Sequence, residues 1–144
     1  MQGFTMTSRP HVDPAFLHSD LTDLVIAAFY RVYDALGFGF LESVYQNALG
    51  KALQDLGVPF SREVPIEVFF EGVKVGHFKA DFLAAGKVIL EIKSAQAVGD
   101  PDLKQLMNYL RSTPIEVGLV LNFGPKPVVM RRAFSNLNKR SVER

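Results

Sequence analysis

His77-Phe78-Lys79-Ala80-Asp81-Phe82-Leu83-Ala84-Ala85-Gly86-Lys87-Val88-Ile89-Leu90-Glu91-Ile92-Lys93 is the stretch on which the reading of this chain turns. Two runs rich in β-branched and aromatic residues flank Ala85-Gly86, which predicts a strand, a tight turn and a returning strand. Side chains alternate across a strand, so Glu91 and Lys93 share one face and Leu90 and Ile92 the other. On the preceding strand the same alternation groups His77, Lys79 and Asp81 against Phe78, Ala80 and Phe82. Asp81 is therefore expected to meet Glu91 across the hairpin. Two carboxylates brought that close repel unless a cation separates them, and an oxygen-only site suits Mg²⁺ or Mn²⁺. Lys93 adds a fixed positive charge for an attacking hydroxide or a phosphoryl oxygen, which together is a design for metal-assisted phosphodiester hydrolysis. A plainer reading of Glu91 and Lys93 as an exposed ion pair stands beside this one.

Upstream, period-two alternation of Val64, Ile66, Val68 and Phe70 ends at Glu71-Gly72, a hairpin turn, and the return strand runs from about Val73 to Leu83. With the third strand, Lys87 to Lys93, this makes an antiparallel meander. Two helices precede it. Ser19 or Asp20 is placed to cap the first, whose stripe is Leu21, Val25, Ala28, Phe29, Val32 and Leu36 before Gly37. After a Gly37-Phe38-Gly39-Phe40 hinge, the second repeats Leu41, Tyr45, Ala48, Leu49, Ala52 and Leu56 before Gly57 and Pro59. Glu42 sits in its first turn, where a carboxylate also simply offsets the helix dipole.

Downstream, Asp100-Pro101 predicts a helix start with Asp100 as cap, and Leu103, Leu106, Met107 and Leu110 its buried stripe. Pro114 closes that helix. Val117 to Leu121 is an apolar run suited to a strand buried on both faces, parallel to the third strand because a helical crossover joins them. A last strand is expected over Val128 to Arg132. The fold class that follows is α/β with a mixed sheet: helices flanking an antiparallel three-strand meander and a parallel strand reached by the crossover. The expected organisation is a flexible leader over residues 1–18, with Met6 as a second start, one domain over 19–134, and a basic flexible tail over 135–144.

At 144 residues, 48% hydrophobic and 22% charged, the chain suits one domain with its own core. It has no cysteine, which excludes disulfides, thiolate metal sites and cysteine nucleophiles. No apolar run is long enough to span a membrane and no secretory pattern opens the chain, so a cytoplasmic location is expected, with no membrane partner. A formal charge of +1 does not announce a nucleic-acid binder. Lys126, Arg131, Arg132, Lys139, Arg140 and Arg144 do crowd the last part of the chain, as phosphate contacts or, the favoured reading, as a solvated tail.

Asp81 followed by Glu91-Ile92-Lys93 resembles the signature of the PD-(D/E)xK nuclease superfamily, and Gly39-Phe40-Leu41-Glu42-Ser43-Val44-Tyr45 is similar to the motif that names the GxxExxY protein family. The likeness extends through Gln105 to Leu110 and Gly118 to Gly124. It implies a restriction-endonuclease-like core with Asp81 and Glu91 as metal ligands, Lys93 as catalytic lysine, Glu42 as an accessory acid, and Gln105 with Tyr109 as a Gln-xxx-Tyr element. Two positions depart from the pattern: Ala80 replaces the proline, and Asp102 stands where relatives often carry histidine.

Helical spacing makes Glu42 and Tyr45 neighbours, and likewise Gln105 and Tyr109. Tyr45 and Tyr109 are weighed as substrate contacts against partial burial in the core. Lys79 is weighed as a phosphate contact against an edge-strand guard. The function expected is a Mg²⁺- or Mn²⁺-dependent nuclease acting on nucleic acid, DNA ahead of RNA, and the superfamily resemblance implies products with a 5′-phosphate and a 3′-hydroxyl. The alternative is a non-catalytic module on the same fold that binds nucleic acid or protein. Its small size leads to structure-directed cleavage or a homodimer with a wider binding surface.

Overall fold

The computed structural model describes Asp13 and residues 16–140. Helices α1 (Ser19–Leu36) and α2 (Glu42–Asp55) precede strands β1 (Phe60–Phe70), β2 (Val73–Ala84) and β3 (Val88–Lys93). Helix α3 (Asp100–Ser112) follows, then β4 (Val117–Phe123) and β5 (Pro127–Ala133). The sheet order is β1-β2-β3-β4-β5, antiparallel except for the β3–β4 pair. The parallel pair is where the chain crosses over through α3, as a connection of that length requires.

Each helix buries the stripe its periodicity marks. Val25, Ala28, Phe29 and Val32 of α1 and Tyr45, Leu49, Ala52 and Leu53 of α2 pack on one face of the sheet, against Leu90, Ile92, Leu119 and Leu121. Leu106, Tyr109 and Leu110 of α3 cover the other face, against Ala80, Ile89 and Val120. Interior strand β4, covered by both layers, is buried along its whole length. The Glu71-Gly72 turn has positive φ at both residues (49° and 79°), the handedness that suits the twist of a hairpin.

Several local expectations are corrected. His18, in a left-handed conformation, precedes α1, so Ser19 and Asp20 lie inside the helix and neither is its cap. Gly99 precedes α3, and its N–H donates to Asp102 Oδ2 at 3.0 Å; Asp100 is already helical, so the acid that ties down this helix start is Asp102. Leu41 and Leu56, counted in the α2 stripe, are exposed, since they flank the helix rather than belong to it. Phe70 is exposed too, because the hairpin tip extends past the packed face of α3.

Leu17 and residues 135–139, near the two ends of the described span, pack more than their composition suggests. Residues 1–12, 14, 15 and 141–144, with Met6 among them, lie outside the described residues. Leu17 nevertheless packs against the α1/α2 core, and its carbonyl accepts from Arg131 at 2.8 Å. Ser135 to Lys139, expected as part of a frayed tail, fold back instead. Asn136 N–H donates to Glu116 Oε2 at 2.8 Å, and Lys139 Nζ donates to the carbonyls of Thr113 and Ile115, both at 2.7 Å. A lysine on carbonyls just past a helix C-terminus meets the negative end of its dipole.

Candidate active site

Where β2 leaves β3, the sheet forks. The β2–β3 ladder covers only Phe82↔Leu90, Leu83↔Ile89 and Ala84↔Val88, although β2 runs on with β1 and β3 runs on with β4. Glu63, with φ of 52°, falls between the pairs Arg62↔Phe82 and Val64↔Ala80, so the hairpin bends opposite Asp81. The bend also breaks the expected alternation. Phe78 and Ala80 join the core on the α3 side, whereas Phe82 and Ala84 join the α1/α2 side. The proposed shared face for Phe78, Ala80 and Phe82 is therefore wrong; a regular two-residue period cannot continue through a bend.

Past the fork two backbone donors lack a ladder acceptor, and the two carboxylates take them. Asp81 N–H donates to Glu91 Oε2, and Ile92 N–H donates to Asp81 Oδ2, each at 2.8 Å. Asp81 and Glu91 are thus cross-linked through each other's strand. Burial, countered in part by the Ile92 N–H, raises the Asp81 pKa. Glu91, 3% exposed, is pushed up to about 8, first by burial and next by the charge of Asp81.

Lys93 ends β3 on the same face as Glu91, with Leu90 and Ile92 buried on the other as expected. Its Nζ stands 3.6 Å from Asp102 Oδ1, so the first turn of α3 holds the lysine beside the fork. Glu42, half-buried at the start of α2, has its pKa raised by burial first and by Asp81 next, with Lys93 acting oppositely. It lies close enough to feel both charges. Among the described residues, however, no three His, Cys, Asp or Glu side chains form a ready-made metal cage.

On α3, the Tyr109 hydroxyl has its pKa raised to about 12 through burial and then the charges of Glu91 and Asp81, with the Gln105 side chain one turn away acting oppositely. That hydroxyl donates to the Lys79 carbonyl at 3.3 Å, tying α3 to β2. The Lys79 side chain is exposed and 3.9 Å from Glu63. Tyr45 is turned inward. It is 0% exposed, stacks on Phe123 with centroids 4.4 Å apart, donates to the Gly37 carbonyl at 2.5 Å and accepts from Phe40 N–H at 3.2 Å. His77 lies away from the fork, 3.5 Å from Glu67.

One positioning residue had no role in the sequence reading. Asn122, alone and polar in the apolar run of β4 and 1% exposed, pairs opposite Lys93. Its amide accepts from Ala95 N–H at 2.9 Å and donates to Ala95 O at 3.0 Å, fixing the chain two residues past Lys93. A Cβ on Gly124 would lie 2.3 Å from that same Ala95 carbonyl, so the approach excludes a side chain. A buried amide inside an apolar strand was the available signal, since such a group needs partners.

A family model described as the PD-(D/E)XK nuclease superfamily matches residues 19–133, the span that holds all of these side chains. The chain belongs to that superfamily. The mixed sheet flanked by helices is consistent with a restriction-endonuclease-like fold, and the PD-(D/E)XK assignment makes a nuclease-like architecture the frame for the site. Among solved structures, one described as "Crystal structure of SSO0001" is similar at 19% identity and a TM-score of 0.48. The match covers 85% of this chain and 61% of that one, so the chain spans about three fifths of its length. No curated protein matches.

Among PD-(D/E)XK nucleases divalent metals are general, and the fork suits one. Glu91 is almost fully buried, yet among the described residues only its Oε2 is met by a donor, and likewise only Oδ2 of Asp81. An unmet buried carboxylate oxygen is costly unless a cation or water faces it. Two carboxylates with the remaining positions left to water and substrate is a usual arrangement for Mg²⁺. No described helix is long and apolar enough to cross a membrane.

Proposed function

We propose that this chain is a divalent-metal-dependent nuclease, using Mg²⁺ or Mn²⁺ to hydrolyse phosphodiester bonds in nucleic acid, DNA ahead of RNA, and that it belongs to the GxxExxY group. The single observation that carries this is the pair of carboxylates cross-linked at the fork, with Lys93 on the same strand face. A merely structural pair would be expected to satisfy all its oxygens; this one, among the described residues, keeps a buried oxygen unmet at high cost.

Asp81 and Glu91 would hold the ion. When bound, it supplies Lewis acidity toward a phosphoryl oxygen. Lys93 holds positive charge beside the carboxylates, where charge on the phosphate grows, and Asp102 stands beside its ammonium group. Glu42 contributes a third negative charge from the opposite layer. Gln105, one turn from Tyr109 on α3, is assigned a role in orienting its hydroxyl. Lys79, exposed on β2, is assigned a phosphate contact. Tyr45, though in the motif, is assigned a supporting role: its hydroxyl shapes the hinge that leads into Glu42.

The test is to incubate the protein with circular and linear DNA, single strands and RNA, with Mg²⁺ or Mn²⁺, beside Lys93→Ala and Asp81→Asn. Cleavage by the wild type that both substitutions abolish is the expected result. Activity surviving either substitution overturns the site. No cleavage, together with no rise in melting temperature at millimolar metal, favours the non-catalytic module.

A further inference from the structure

The cations of this molecule divide into two groups. Arg31, Lys51, Lys74, Lys79 and Lys93 each have a carboxylate within ion-pair distance. Lys87, Lys104, Arg111, Lys126, Arg132 and Arg140 have none among the described residues, and Arg62 meets only the amide oxygens of Asn47 and Gln46. Four of them, Lys104, Arg111, Arg132 and Arg140, gather in one place. They line two adjoining hollows of about 440 and 520 Å³ that share Asn108 and Arg111, and so form one groove across the outer side of α3.

The folded-back C-terminal segment builds one wall. Because Lys139 and Asn136 tie it to the end of α3 and to Glu116, Arg140 is brought over the same groove as Arg111. Arg111 is itself held in place, its guanidinium 4.6 Å from the centre of the Phe134 ring. Asp100, at one end, is the carboxylate in the lining. Unpaired cations converging on a concave surface raise the local potential and attract polyanions, whereas a merely solvated face has no reason to gather them in a hollow.

The geometry points to this groove as the track for a nucleic-acid backbone, holding phosphates that flank the scissile one. The inference rests on the nuclease reading for its ligand class and deepens it. Helix α3 carries Gln105 and Tyr109 toward the fork and Lys104, Asn108 and Arg111 toward the groove, so the two are separated by about one helix diameter, roughly 10 Å. That distance is about three base-pair steps along the axis of a duplex, since the phosphates of one strand recur roughly every 3.4 Å along that axis. A substrate crossing α3 would thus engage both.

Binding can be measured without cleavage, which separates this inference from the nuclease reading. Fluorescence anisotropy of labelled duplex DNA, single-stranded DNA and RNA is recorded in EDTA across a salt series. The proteins are the wild type, Lys104→Ala, Arg140→Ala, the double variant, and Lys74→Ala as a cation from outside the groove. Lys104 and Arg140 are exposed, and thermal melting checks that the variants fold. Each groove substitution should weaken binding by roughly tenfold near 0.1 M salt and lower the log–log salt slope by about 1, with the double variant losing about 2. Lys74→Ala should bind like the wild type.

Groove variants that bind like the wild type, or a wild type that binds none of the three probes at low salt, overturn the groove. Loss confined to the groove variants supports it even if the protein never cleaves. Cleavage by the wild type with undiminished binding by the groove variants refutes the groove while leaving the nuclease reading intact.

Discussion

Replacing Glu91 by Gln should stabilise the metal-free protein above neutral pH. Glu91 has an ordinary pKa of 4.5 when the chain is unfolded and about 8 in the folded state. Between these values the unfolded chain has released a proton that the folded chain still binds, so stability falls as pH rises from about 4.5 and the loss is complete near pH 8. Asp81 and Glu42 are raised as well and act in the same direction. At 1.36 kcal/mol per unit the Glu91 interval corresponds to at most about 5 kcal/mol.

The amide in Glu91→Gln keeps an oxygen to accept from Asp81 N–H and carries no charge to desolvate. At pH 8 in EDTA the variant should therefore melt roughly 6–15 °C above the wild type, the equivalent of about 2–5 kcal/mol. At pH 4.5 the two should nearly coincide. Added Mg²⁺ should raise the wild type and leave the variant unmoved, because a bound ion stabilises only the chain that retains its ligand. The assay is thermal unfolding by circular dichroism over pH 4.5–8. A variant no more stable than the wild type at pH 8, or a wild type whose metal-free stability is flat over this range, would refute the reasoning.

Tyr45→Phe removes the hydroxyl between Gly37 O and Phe40 N–H and should cost about 1–2 kcal/mol in urea unfolding, with any cleavage reduced only as far as Glu42 is displaced. In Gly118→Ala a new Cβ would stand 2.5 Å from Leu106 Cδ1 and 3.1 Å from its Cγ; Leu106 is fully buried, so the expected cost is about 1–3 kcal/mol by the same measurement. Ala85→Gly should instead stabilise slightly or be neutral: φ is 50° there, which costs an L-residue about 1 kcal/mol, a gain offset in part by the entropy of glycine. A Tm lowered by several degrees would show that the turn does not need that conformation.

How far the site could be read from sequence differs residue by residue. That Leu90 and Ile92 oppose Glu91 and Lys93 was legible, because a short straight strand keeps its period of two. The same rule failed for Phe78, Ala80 and Phe82, where Glu63 on the neighbouring strand bends the hairpin, a cause outside the residues being read. Tyr45 stood in a motif and beside an apolar stripe at once; only its contacts with Phe123, Gly37 and Phe40 decide between them.

Local periodicity determined the helices, the meander and the parallel crossover, since side-chain spacing within an element depends on that element's backbone geometry alone. Which backbone donors go unpaired at the fork was decided by the tertiary structure. So were the approach of Asp102 to Lys93 and the return of Ser135 to Lys139 over α3. In each case a polar group chose a partner on another element, nine or more residues away, and no pattern of neighbours records that choice.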